Sequence, residues 1–128
     1  MHNRQVPRSE WFRYFREFSR RHDGWLVRVR VMHPSLGSQV ELHDVPLEGI
    51  VSSSDATGPI TIHAGASPVR NLEHHIPGPV QVWVEVSERN EDQALEIVSD
   101  DGTKTILEFR TALSRNDLDD GDGGGARS

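Results

Sequence analysis

Four valines spaced two residues apart, Val80, Val82, Val84 and Val86, put the apolar groups of this stretch on one side of an extended chain, with Gln81, Trp83 and Glu85 on the other. Successive side chains of a strand point to opposite faces, so such a segment suits a sheet with one face covered and one open. The same period recurs along the chain. In Trp25–His33 the residues Trp25, Val27, Val29 and Val31 alternate with Arg28 and Arg30. Val40 and Leu42 alternate with polar neighbours, and Pro46 interrupts the run before Leu47–Val51, which reads as one bent strand or two short ones. Ile60 and Ile62 alternate with Thr61 and His63. Ala94–Ser99 and Lys104–Thr111 flank Asp100-Asp101-Gly102, a hairpin signal. About six antiparallel strands follow from this pattern.

Only one segment has the helical period. Trp11, Tyr14, Phe15 and Phe18 share a face, and Arg13, Arg16 and Arg20 share the opposite one. Ser9 suits the N-cap, and Gly24 suits a left-handed stop. The expected fold is therefore α+β: an N-terminal amphipathic helix packed on a twisted antiparallel sheet of about six strands, or a partly closed barrel. The stretch Gly65–Pro79, with prolines at 68, 77 and 79, reads as a long ordered loop. Residues 1–113 form the expected domain. Residues 114–128, rich in aspartate and glycine, have too few apolar groups to repay ordering and read as a disordered acidic tail.

Certain turns and strands also carry a family likeness. They are the Trp-containing helix ending near Gly24, Pro46-Leu47-Glu48-Gly49-Ile50, His75-Ile76-Pro77-Gly78-Pro79, Leu95-Glu96-Ile97, Asp101-Gly102-Thr103 and Leu107-Glu108-Phe109-Arg110. In these, over most of residues 7–112, the chain resembles an uncharacterised bacterial family of small proteins catalogued only as a domain of unknown function. The resemblance implies a free-standing bacterial protein and no particular activity, substrate or cofactor.

Charge and composition narrow the functional classes. With no cysteine, thiolate metal sites, disulfides and thiol nucleophiles are absent. No apolar run approaches the ~18 residues of a membrane-spanning helix, and the polar N-terminus does not read as a leader, so a cytoplasmic location is expected. The net charge of −6 is unevenly spread: residues 1–30 hold eight arginines and three acids, and the remainder six basic residues and seventeen acids. Overall acidity argues against nucleic acid as a partner. An RNA- or polyanion-binding adaptor, working through Arg13, Arg16 and Arg20 on the basic helix face, is an alternative, although that face lacks interleaved exposed aromatics.

No catalytic constellation emerges. Gly65-Ala66-Ser67-Pro68 lacks the nucleophile elbow, and no glycine-rich loop precedes a helix. Seven histidines raise a second alternative, a metal-binding or enzymatic site on the polar sheet face through His43, His63 and His75; surface and loop histidines are the plainer explanation. Trp83 is the most informative residue. Its phase places it opposite the valines of its own strand, where an aromatic beside Arg28 and Arg30 would anchor a protein partner or a second copy. Cover by the chain's own 65–79 segment is the competing reading. The expectation is a small soluble binding or interaction module, self-associating, with no cofactor.

Overall fold

Pro46 and Asp44 mark the hinge of the architecture. The computed structural model describes residues 2–53, 58–65, 72–89 and 91–109, apart from the side chains at 2 and 40–43. The third strand, β3 (Gly37–Ser52), pairs through its first half with β2 (Leu26–His33) and through its second half with β4 (Ile60–Ala64). Asp44, at φ 55°, lies where the pairing slips between Val27 and Val29, and a second slip falls between Leu47 and Gly49. Such bulges bend a strand and deepen its twist, which lets one strand serve two ladders. Proline, with no N–H to give, sits at the change of partner. The Pro46 carbonyl accepts from Gly65 N–H at 2.9 Å, and the neighbouring Leu47 N–H donates to the Trp25 carbonyl at 2.8 Å.

The remaining strands are β1 (His2–Val6), β5 (Leu72–Ile76), β6 (Pro79–Val86), β7 (Asp92–Ser99) and β8 (Lys104–Phe109). They join in the order β1-β6-β7-β8-β2-β3-β4-β5, and every pairing is antiparallel. A 3-10 turn, Arg8–Glu10, leads into the helix α1 (Trp11–Arg21).

The expected six-stranded α+β fold with an N-terminal helix on its sheet is therefore overturned. The chain is mostly strand: eight strands in an open antiparallel sheet among the described residues, with one short helix that follows β1 rather than leading the fold. The physical cause is the weakness of the two extra strands as patterns. Of the described side chains of β1 only Val6 is buried, and in β5 only Ile76 is. Neither edge strand carries the alternation that marks the inner ones, and β5 occupies part of the stretch read as loop. The edges are paired by backbone bonds, to which periodicity is blind.

The inner faces close on one core. Val27 and Val29, Val82 and Val84, Leu95 and Ile97, and Leu107 are at most 1 % exposed, and Trp11, Phe15 and Phe18 of α1 join the same cluster. Two side-chain bonds tie the helix in place. Trp11 Nε1 donates to the Val6 carbonyl at 3.0 Å, and Ser19 Oγ accepts from Ile50 N–H at 2.8 Å.

Candidate functional site

Once the strand order is fixed, the pairing register lines up the outward side chains in two rows. One row runs Gln5, Trp83, Glu96, Ile106, Arg30 across β1, β6, β7, β8 and β2. The next runs Asn3, Glu85, Ala94, Glu108, Arg28 across the same strands. Except for Asn3, each of these residues has an inward-facing neighbour in the core, which is why the alternating strands place them outside.

A concavity of about 360 Å³ lies among them, lined by Asn3, Arg30, Trp83, Glu85, Ala94, Glu96, Ile106 and Glu108. Trp83 is half-buried at its side, and its Nε1 donates to Gln81 Oε1 at 3.3 Å, which holds the indole against its own strand. Electrically the two ends of the face differ. Glu108 is shared by two arginines, Arg28 Nε at 3.4 Å from Oε1 and Arg30 at 3.4 Å from Oε2. Arg30 Nε and Glu108 Oε1 are nevertheless buried atoms without a hydrogen-bond partner among the described residues. Glu85 and Glu96, beside Trp83, form no ion pair among the described residues. Cationic surplus thus sits on β2 and anionic surplus on β6 and β7. With side chains 28–45 % exposed, the Glu108 pairs contribute at most about 1 kcal/mol each to stability, so they set direction more than strength.

Of the residues singled out in the sequence, Trp83 and Arg30 line this concavity and Arg28 borders it. Arg13, Arg16 and Arg20 are exposed on α1, and Arg16 lies over the Phe12 ring at 5.8 Å. Phe12 and Arg16 belong to a separate groove of about 300 Å³ between α1 and β3, which includes Ile50 and Val51. The basic helix face and the Trp83 face are different surfaces.

The histidines divide similarly. His63 Nδ1 and His75 Nε2 each lie 3.6 Å from a Glu73 carboxylate oxygen, and His75 Nδ1 is 3.0 Å from Thr61 Oγ1. The side chain of His43 lies outside those described. Among the described residues no group of three or more ligating side chains could hold a metal ion.

Periodicity missed a buried polar cluster at the end of α1. His22 is 4 % exposed, with Nδ1 donating to the Phe18 carbonyl at 2.8 Å and Nε2 3.2 Å from Asp92 Oδ2. Its ring stacks on Phe109 at 4.7 Å and meets Trp25 edge-on at 4.7 Å. The hydrogen bond from His22 holds the Asp92 carboxyl below its usual range, against the opposing effect of burial. Tyr14, whose hydroxyl is buried without a partner among the described residues, is pushed up to about 12 by burial first and by the Asp92 charge second. The cluster is walled by aromatic rings and lines none of the concavities above. Its geometry is that of a structural clasp joining α1 to β7.

No helix among the described residues is long and apolar enough to cross a membrane. No solved structure matches the chain. An uncharacterised protein of the bacterium Aquifex aeolicus (strain VF5) is 26 % identical over 114 residues, covering 88 % of this chain and 96 % of the relative. A family model described as a family of unknown function, DUF5335, matches residues 2–118, and the chain belongs to that family.

Proposed function

We propose that this protein is a small cytoplasmic binding module without catalytic machinery, and that the outward sheet face around Trp83 is its association surface. One observation carries the reading. A tryptophan lies half-exposed in a concavity of about 360 Å³, among charged side chains and away from the core its own strand supports. Tryptophan is enriched among the residues that dominate binding energy at protein interfaces, because it brings a large apolar area at little entropic cost. The concavity is open and shallow. A small molecule held by contact needs enclosure over most of its surface, whereas a protein partner brings its own cover. The partner is therefore a protein chain, with a second copy of this one tested first.

Sedimentation equilibrium over a range of concentrations provides the test. The wild type should exceed the 14.4 kDa of one chain. Trp83→Ala should sediment as a monomer with native circular dichroism, a loss of about 2 kcal/mol or more in association. A wild type that remains monomeric, together with a Trp83→Ala variant that unfolds, would assign Trp83 to the fold and end the reading.

A further inference from the structure

We infer that the Trp83 face is self-complementary about a two-fold axis lying parallel to the strands between β7 and β8, and that its occupant is a second copy of this chain. The inference rests on the association surface proposed above and adds the partner and its register. A two-fold contact brings residue i against j and j against i, so a single face can serve both sides only if its halves complement each other. This face meets that condition. In the first row Trp83 and Arg30 stand at equal distances on either side of the β7–β8 boundary, and in the second row Glu85 and Arg28 do the same. A half-turn about that line preserves the rows and exchanges β6 with β2. It therefore lays Arg28 of one copy against Glu85 of the other, and Arg30 against Trp83, twice over.

The charges favour this pairing. Glu85 and Glu96 form no ion pair among the described residues, while Arg28 and Arg30 share the single carboxylate of Glu108. Each copy thus holds on one side the surplus that the other side lacks. Arg28 has 45 % of its side chain exposed outside the concavity that Glu85 and Trp83 line, so it can reach a carboxylate on a facing copy. Arg30 keeps 35 % of its side chain exposed while Nη2 lies 3.4 Å from Glu108 Oε2, so its guanidinium can stack on the indole of the second copy without leaving that carboxylate. Ile106 and Ala94 lie beside the axis together with Glu96 and Glu108, so the same half-turn lays Glu96 against Ile106 and Glu108 against Ala94, and the centre of the contact mixes apolar and acidic side chains.

Charge reversal tests the register. In Glu85→Arg each two-fold contact sets arginine against arginine, and in Arg28→Glu it sets glutamate against glutamate. Either variant alone should dimerise about 100-fold more weakly than the wild type, since like charges facing each other across an interface cost several kcal/mol. An equimolar mixture of the two restores opposite charges at both contacts, so it should form a heterodimer within about tenfold of wild-type affinity, weakening as salt is raised. If Arg28→Glu loses its native circular dichroism beside Glu108, Arg28→Ala replaces it and must still weaken the dimer. A mixture that stays monomeric, or an Arg28→Ala protein that dimerises as the wild type does, overturns the two-fold register. In that case a Trp83→Ala variant that nevertheless dissociates leaves the association surface standing. A wild type that never dimerises ends the two-fold inference, and the association surface falls with it only if Trp83→Ala also unfolds.

Discussion

Replacing Asp92 by alanine should destabilise the protein by about 2–3 kcal/mol at neutral pH, because His22 then faces an empty site. Breaking one partner of a fully buried ion pair typically costs about 3–5 kcal/mol, and a hydrogen bond to a charged group contributes about 1.5–3 kcal/mol. His22 is close to the buried limit, with its side chain 5 % exposed, but Asp92 at 20 % keeps contact with water, so the lower part of that range applies. Arg21 reaches the same carboxylate at 3.6 Å with 58 % of its side chain exposed, and Arg21→Ala should cost less than about 0.5 kcal/mol. For a chain of this length the Asp92 loss corresponds to a fall of about 8–12 °C in Tm.

The pH dependence fixes the sign. Asp92 titrates below its ordinary value of 3.8 in the folded protein, so the unfolded state binds the proton more readily. Its stabilisation is fully present above that ordinary value and is lost as pH falls through the lower folded value. Thermal melts of wild type and Asp92→Ala should therefore differ most at pH 5–7 and converge in strong acid. Equal melting points at pH 7, or a gap that persists undiminished in acid, would refute the argument that this contact is an ion pair within the fold.

Phe18→Ala should cost about 4–5 kcal/mol, at the top of the usual range, because the ring is fully buried and contacts Tyr14, His22 and Phe109; chemical denaturation measures it. Arg16→Ala, on the exposed face of the same helix, should change stability by less than about 0.5 kcal/mol in the same assay. Gly78→Ala should cost about 1–2 kcal/mol, since φ is +58° there and a Cβ would meet the Asp100 carboxylate at 2.7 Å; thermal melts measure it. Removing residues 114–128 should leave Tm unchanged within about two degrees, in keeping with residues 1–113 as the folding unit.

The inner strands were legible because each must bury one face, and burial writes itself into the sequence as alternation. Val82 and Val84 in β6, Leu95 and Ile97 in β7, and Leu107 in β8 carried that message without ambiguity. The edge strands did not, because β1 and β5 are held chiefly by backbone pairing. The long strand through Pro46 was equally hard to read. Proline ordinarily ends a ladder, but here its missing N–H falls where the strand changes partners. As for the candidate site, the outward phase of Trp83 was readable from its own strand, and so was that of Arg28 and Arg30. Their relation to Glu85, Glu96 and Glu108 was not, since it depends on strand order, a product of connections rather than of local pattern. His22 and Asp92 were invisible for a related reason: seventy residues separate them, and neither sits in a motif.

The pairing of β1 with β6 also sets a schedule. Val6 lies opposite Val82, so β1 has no partner until some seventy-five further residues have been added. At synthesis rates of about 5–20 residues per second, this leaves β1 waiting roughly 4–15 s. Trp11 waits with it, because its indole is bonded to the Val6 carbonyl and the core that covers its ring is built largely from later strands. The nascent chain therefore displays an arginine-rich, aromatic segment to the ribosome surface and to chaperones throughout that interval. Synonymous changes that slow translation between codons 7 and 79 should lengthen this exposure and lower the soluble yield, while leaving the finished protein chemically identical.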